Sequence, residues 1–193
     1  QINKHIVIGI VSLIDNKSNK RFYETLYNYL QLFGVTEKLN ETNIDLKISK
    51  ENMDFEILLE NIISKNDFLI LHSTDISNIE WKNQIIKYSD QVLILGDRYE
   101  LMKITNKETE VFGNYSNINL KKLWMIISHK KNTHLPSDTK NIINIRNGIR
   151  TFHVRNNNNA DIKRIVRFIT KQTIGLTLGG GGAKGFSHFG IYK

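Results

Sequence analysis

The chain has 193 residues, carries 27 Lys and Arg against 19 Asp and Glu, and contains no cysteine. With 40% hydrophobic and 24% charged residues it is typical of a globular protein, not of a disordered one. The composition excludes disulfides and thiolate metal sites. The apolar runs are far shorter than the roughly 18 residues that a membrane-spanning helix needs, and no secretory signal opens the chain.

The ends of the chain and its net charge indicate what kind of protein it belongs to and what kind of partner it has. The chain begins at Gln1 and stops at Lys193, soon after a glycine-rich run, so we expect it to be part of a longer protein. The net charge of +8 favours anionic partners. However, the basic residues are scattered, and no RNA-binding aromatic motif or zinc-finger spacing accompanies them. We expect the basic residues to form a solvated surface, with peripheral membrane contact as the functional alternative. We expect no nucleic-acid partner, and a cytoplasmic or membrane-peripheral location.

Short apolar runs rich in β-branched residues predict buried parallel strands. The predicted strands are His5–Ile14, Asp67–His72, Gln91–Gly96, Leu123–Ser128 and Arg150–Val154. Apolar residues at helical spacing between these runs predict helices. The predicted helices are Lys20–Phe33, Met53–Ser64, Asn78–Tyr88 and Asp161–Thr170. Val35–Lys47 is ambiguous, with a second strand around Ile44–Ile48, and a loop from Lys130 to Asp138 holds the single proline, Pro136.

This alternation predicts an α/β fold with a doubly wound, open, mostly parallel sheet of the Rossmann or flavodoxin type. The pattern then restarts, because Thr173–Leu178 is an apolar strand that leads into Gly179–Gly185, and Phe186–Lys193 follows as a helix start. We therefore place a domain boundary near Lys171, which divides the chain into residues 1–170 and 171–193.

A strand, a run of glycines and a helix start together direct backbone N–H groups and the positive helix end at one point. Such a point binds a phosphate or stabilises the oxyanion of acyl transfer. A Walker A loop is excluded because Gly185, not Ser or Thr, follows Lys184. The dinucleotide pattern G-x-G-x-x-G is met by Gly180, Gly182 and Gly185, but its confirming acidic residue would lie beyond the chain.

The longer string T-I-G-L-T-L-G-G-G-G-A-K-G-F-S-H-F-G resembles the start of the patatin-like phospholipase domain, above all in the neuropathy target esterase branch. Lys184 holds the basic position of that motif, His188 the histidine position, and Gly190 closes it. Trp81–Gly96 looks like a segment of the linker domain that precedes the catalytic domain in that branch. Ile85 replaces its cysteine and Ser89 its alanine.

Weaker resemblances lie between that segment and the glycine run. Ile126–His129 followed by Pro136 is similar to the family's strand, His and Pro loop, and Asp161–Thr170 takes the place of its last linker helix. In that branch the linker domain lies between cyclic-nucleotide-binding domains and the esterase domain. The resemblance therefore implies an upstream cyclic-nucleotide-binding domain, and a relay or docking role for residues 1–170.

The resemblance implies a serine esterase with a Ser–Asp dyad, acting on phospholipid or lysophospholipid without a cofactor or metal. The oxyanion loop would be formed by Gly180, Gly181, Gly182, Lys184 and Gly185. No G-x-S-x-G or D-G-[AG] motif occurs in the chain, so both catalytic residues are expected beyond Lys193, and this chain alone should be inactive. Ser187 has the spacing G-x-S-x-x-G and is expected to cap or pack rather than to act as a nucleophile.

Other single residues are assigned structural roles. We expect His188 to pack or to hydrogen bond, and Trp81 to belong to a core or an interface. His72 stands at a strand end, where α/β proteins bind ligands, which makes it a functional candidate. His129 and His134 lack a third ligand, so a metal site is not expected.

Three functions remain open on the residues alone. The first is a patatin-like lipid hydrolase, the second a Rossmann-type nucleotide-binding protein, and the third a non-catalytic α/β interaction module.

Overall fold

The computed structural model describes residues 5–13, 17–51, 53–73, 77–113, 115 and 118–174. Within these residues, six strands form one parallel sheet in the order β2-β3-β1-β4-β5-β6. The strands are β1 (Ile6–Ser12), β2 (Thr36–Leu39), β3 (Phe68–His72), β4 (Gln91–Asp97), β5 (Leu123–His129) and β6 (Arg150–Arg155).

Seven α-helices of the described part connect and cover these strands. They are α1 (Lys17–Leu30), α2 (Glu41–Glu51), α3 (Phe55–Lys65), α4 (Ile79–Tyr88), α5 (Asn106–Phe112), α6 (Thr139–Asn144) and α7 (Asn159–Ile169). Two short 3₁₀ turns lie at Glu100–Met102 and Leu120–Lys122. In this part of the chain no helix combines the length and the apolar character that crossing a bilayer requires.

The sheet is buried on both faces because each central strand is apolar at consecutive positions. In β1, Ile8 and Ile10 face a core shared with α1 and α7, whereas Val7 and Val11 face a core that includes residues of α2 to α6. Successive side chains of a strand point to opposite faces, so an uninterrupted apolar run supplies both cores at once. The prediction of a doubly wound, parallel α/β sheet is therefore confirmed.

The strand predicted at Thr173–Leu178, apart from its first two residues, and the helix start predicted at Phe186–Lys193 lie outside the described residues. The other predicted strands and helices are confirmed, with boundaries shifted by a few residues, but the strand expected around Ile44–Ile48 is wrong. That segment belongs to α2, which begins after Asn40, whose Oδ1 accepts a hydrogen bond from the backbone N–H of Asn43 at 2.8 Å. Ile44 is buried while Leu46 is 56% exposed, so the alternation in the sequence does not correspond to one buried strand face. The strand is instead Thr36–Leu39, which pairs with β3.

The connections reverse direction at β1. The helix after β1, α1, covers one face of the sheet, while the helices after β3 and β4 contribute Trp81, Ile85, Val111 and Phe112 to the opposite core. Neighbouring loops therefore leave the sheet on opposite sides at its carboxyl edge. In open α/β sheets, ligands bind at this edge, where the winding changes direction.

Candidate functional site

The residues predicted to form an oxyanion loop lie outside the described part of the chain. They are Gly180, Gly181, Gly182, Lys184 and Gly185, and the same holds for Ser187 and His188. The assignment of the loop, like the domain boundary near Lys171, stays a prediction. The described part contains the α/β domain and, at its carboxyl edge, a group of polar side chains.

His72 lies at the carboxyl end of β3, as the sequence predicts. Its ring packs against Tyr23 with 5.1 Å between ring centroids, and its main-chain oxygen accepts a hydrogen bond from Trp81 Nε1 at 3.0 Å. Burial lowers the pKa of His72, which favours the neutral ring. A functional role for His72 stays a prediction, whereas Trp81 is buried and belongs to the core, as expected.

A pair of histidines joins the last two strands of the sheet. His129 Nε2 lies 2.8 Å from His153 Nδ1, and Thr139 Oγ1 lies 3.4 Å from His153 Nε2. Burial lowers the pKa of both rings; the charge of Arg98 adds to this effect at His129, and the charges of His129 and Arg164 add to it at His153. Two neutral imidazoles fit this contact, because one nitrogen donates and the other accepts.

The sequence singled out His129 with His134, not with His153. His134 is exposed in the loop after β5, and no metal-binding group of three or more His, Cys, Asp or Glu occurs among the described residues. His153 lies in the centre of a short strand of mixed polarity and carries no local signal. In the parallel register of β5 and β6, His129 lies opposite Arg155, which is two residues after His153. It is this register that brings the rings of His129 and His153 together.

A cleft of about 120 Å³ opens between the loops that follow β4 and β5. Asp97, Arg98 and Tyr99 form one wall, and Ser128, His129, Lys130, Thr133 and Asn156 complete the lining. Arg98 pairs with Asp138 at 2.6 Å, yet its Nε atom is buried without a hydrogen-bond partner. Asp97 Oδ1 accepts hydrogen bonds from the backbone N–H groups of Tyr99 at 2.7 Å and Glu100 at 3.4 Å.

A buried ion pair fixes the segment that continues from the cleft wall. Arg146 is fully buried and donates from Nε and Nη2 to the two carboxylate oxygens of Glu108, at 2.6 and 2.9 Å. Its Nη1 donates to the main-chain oxygen of Leu101 at 2.8 Å and its Nη2 to that of Lys103 at 3.4 Å. The Tyr115 hydroxyl also donates to Glu108. Burial alone would lower the pKa of Arg146, but the hydrogen bonds and charge of Glu108 raise it.

Two solved structures share this fold. A plasmid partition protein from Borrelia burgdorferi superposes with a TM-score of 0.56 and 13% sequence identity, over 88% of this chain and all of that chain. HypB from Helicobacter pylori, solved in complex with nickel, superposes with a TM-score of 0.51 and 13% identity, over 88% of this chain and 87% of that one. At such low identity, the likeness shows an α/β fold and nothing more.

No family model matches the chain, but curated proteins do. The human patatin-like phospholipase domain-containing protein 6 is 25% identical over 199 aligned residues, which cover 87% of this chain and 14% of that protein. The Drosophila melanogaster neuropathy target esterase sws is 23% identical over 224 aligned residues, which cover 99% of this chain and 15% of that protein. The chain thus spans about one seventh of the length of these relatives.

These matches confirm the resemblance to the neuropathy target esterase branch of the patatin-like phospholipases. The chain is similar over most of its length to members of that branch.

Proposed function

We propose that this chain is part of a patatin-like serine lipid hydrolase that cleaves ester bonds of phospholipids or lysophospholipids. The observation that carries the proposal is the match to the Drosophila protein, which covers 99% of the chain. A match of that extent includes Gly179–Gly185, so the likeness does not rest on the α/β domain alone. Residues 1–170 then form a linker or regulatory domain, and residues 171–193 begin the catalytic domain.

The glycine-rich run supplies half of the proposed active site. In acyl transfer, a serine oxygen attacks the ester carbonyl, and negative charge develops on the carbonyl oxygen. Backbone N–H groups of Gly180, Gly181, Gly182, Lys184 and Gly185 would donate hydrogen bonds to that oxygen, helped by the positive end of the following helix. Collapse of the intermediate expels the alcohol, and water then hydrolyses the acyl-enzyme to a fatty acid.

The serine nucleophile and its aspartate belong to residues that follow Lys193 in this proposal. The chain alone is therefore inactive, and its contribution is the oxyanion loop together with the domain that precedes it. No cofactor takes part.

Charge at the end of the α/β domain supports contact with a membrane that contains the substrate. Lys163, Arg164, Arg167 and Lys171 are exposed on α7 and just after it, close in sequence to the start of the proposed catalytic domain. Basic residues at an anionic bilayer contribute about 1 kcal/mol each. The proposal also includes upstream cyclic-nucleotide-binding domains, for which residues 1–170 would serve as a relay or docking element.

Lysophospholipase turnover by the full-length protein tests the proposal, with this chain as the blank. We expect turnover by the full-length protein only, and its loss after treatment with a serine-directed phosphonate. Gly181→Pro, which removes one backbone N–H, should lower kcat by about 10²–10³, the usual cost of losing an oxyanion donor. Ser187→Ala is the matched control and should retain both turnover and phosphonate labelling. A correctly folded full-length protein that neither turns over lipid nor reacts with the phosphonate would rule the hydrolase out.

A further inference from the structure

The cleft between the loops after β4 and β5 has no part in the proposed lipid hydrolysis. It lies at the carboxyl ends of parallel strands, where this fold class binds ligands. Asp97 on β4 is paired in register with Ser128 on β5, so side chains from two strands and two loops converge there.

Two cations in the cleft are suited to a phosphate group. Arg98 lines the cleft with a guanidinium that also pairs with Asp138. Lys130 forms no ion pair within the described part of the chain. Thr133 adds a hydroxyl to the same lining. Arginine, lysine and hydroxyl donors together are the common means of binding a phosphate.

The cleft also holds a carboxylate, which excludes a site built for a bare anion. Asp97 Oδ1 is occupied by backbone N–H groups, whereas Oδ2 has no donor among the described residues. An unoccupied carboxylate oxygen at a strand end is suited to accept hydrogen bonds from sugar hydroxyls, as acidic residues do in dinucleotide-binding folds. The Asn156 amide lines the same space.

An aromatic ring lies at the mouth of the cleft. Tyr99 is 68% exposed, and the Arg98 guanidinium carbon lies 5.2 Å from the centre of its ring. A cleft of 120 Å³ is smaller than the pockets of about 300–1,000 Å³ that enclose whole drug-sized ligands. A phosphate and part of a sugar would fill it, and a planar base would then lie outside, against Tyr99.

We propose that this cleft binds a small phosphomonoester of the nucleoside monophosphate class. Arg98, Lys130 and Thr133 hold the phosphate, Asp97 accepts from the sugar hydroxyls, and Tyr99 stacks on the base. The wall is fixed before binding, because Arg146 hydrogen bonds the main chain just beyond it, and such preorganisation reduces the entropy cost of binding.

Isothermal titration calorimetry on the 193-residue chain tests this site, with AMP, ribose 5-phosphate and inorganic phosphate as probes. We expect AMP to bind most tightly, ribose 5-phosphate several-fold more weakly, and inorganic phosphate more weakly still. Tyr99→Ser should reduce the affinity for AMP to that for ribose 5-phosphate. Because the assay needs no esterase activity, its result is independent of whether the full-length protein hydrolyses lipid.

The decisive variant is Lys130→Gln, since Lys130 is exposed and its replacement should leave folding intact. It should weaken AMP binding about tenfold, the usual effect of losing a charge-assisted hydrogen bond. Lys131→Gln is the matched control: it removes the same charge from the next exposed residue, which does not line the cleft. Absence of AMP binding at about 10 mM would overturn the proposal. So would equal effects of the two lysine variants, or equal affinities for AMP and inorganic phosphate.

Discussion

Replacing Arg146 with methionine removes the central member of a buried polar network. The guanidinium donates to both oxygens of Glu108 and to the main-chain oxygens of Leu101 and Lys103. Methionine has a similar length but no donor, so among the described residues Glu108 would retain only the Tyr115 hydroxyl as a side-chain partner. The cleft wall would lose its anchor at the same time.

The cost follows from the burial of the pair, since both side chains are almost completely inaccessible to solvent. Removing one partner of a buried ion pair costs about 3–5 kcal/mol, because the other charge is left without compensation. A domain of this size has a free energy of unfolding of about 5–15 kcal/mol. Arg146→Met should therefore remain folded at low temperature, with a melting temperature about 6–20 °C lower.

Urea unfolding followed by far-ultraviolet circular dichroism measures the effect. The control is Arg164→Met, which removes one exposed hydrogen bond to the main-chain oxygen of His153 and should cost less than about 1 kcal/mol. Adding Glu108→Gln to Arg146→Met should recover part of the loss, because the unpaired charge is then gone. A loss below about 1 kcal/mol for Arg146→Met alone would refute this account of the network.

Two further predictions concern the sheet and its histidines. Gly9→Ala would place a Cβ atom 2.5 Å from Ser89 Oγ. The resulting crowding between β1 and α4 should lower the free energy of unfolding by about 1–3 kcal/mol, measured by thermal unfolding. An unchanged melting temperature would contradict the close packing. The lowered pKa values of His129 and His153 mean that the unfolded chain binds more protons than the folded one just below pH 6.5. The free energy of unfolding should therefore be at its full value above pH 6.5 and should decrease on acidification. The decrease should be smaller in His153→Gln, and an identical pH profile for this variant would argue against the neutral pair.

The sequence determined the class of the fold because burial on both faces imposes a local pattern. Leu123–His129 is apolar at five consecutive positions, and all five are buried. Ile44–Ile48 misled the prediction because alternation over five residues fits a strand, whereas the helical i and i+4 pair, Ile44 and Ile48, makes the core contact. The relation to patatin-like phospholipases was likewise visible locally, since one continuous string of glycines and flanking residues carries it.

Only the tertiary structure decided the strand order and the polar clusters. The order β2-β3-β1-β4-β5-β6 differs from the usual Rossmann and flavodoxin orders, and no local pattern records which parallel strands become neighbours. His129 meets His153 across 24 positions of sequence, and Arg146 meets Glu108 across 38. Contacts of this kind depend on the register and the crossovers of the sheet, so the composition of either segment contains no signal for them. A motif contained in one continuous segment can therefore be recognised in the sequence. The cleft is built from the ends of separate strands, so it exists only once the sheet has formed.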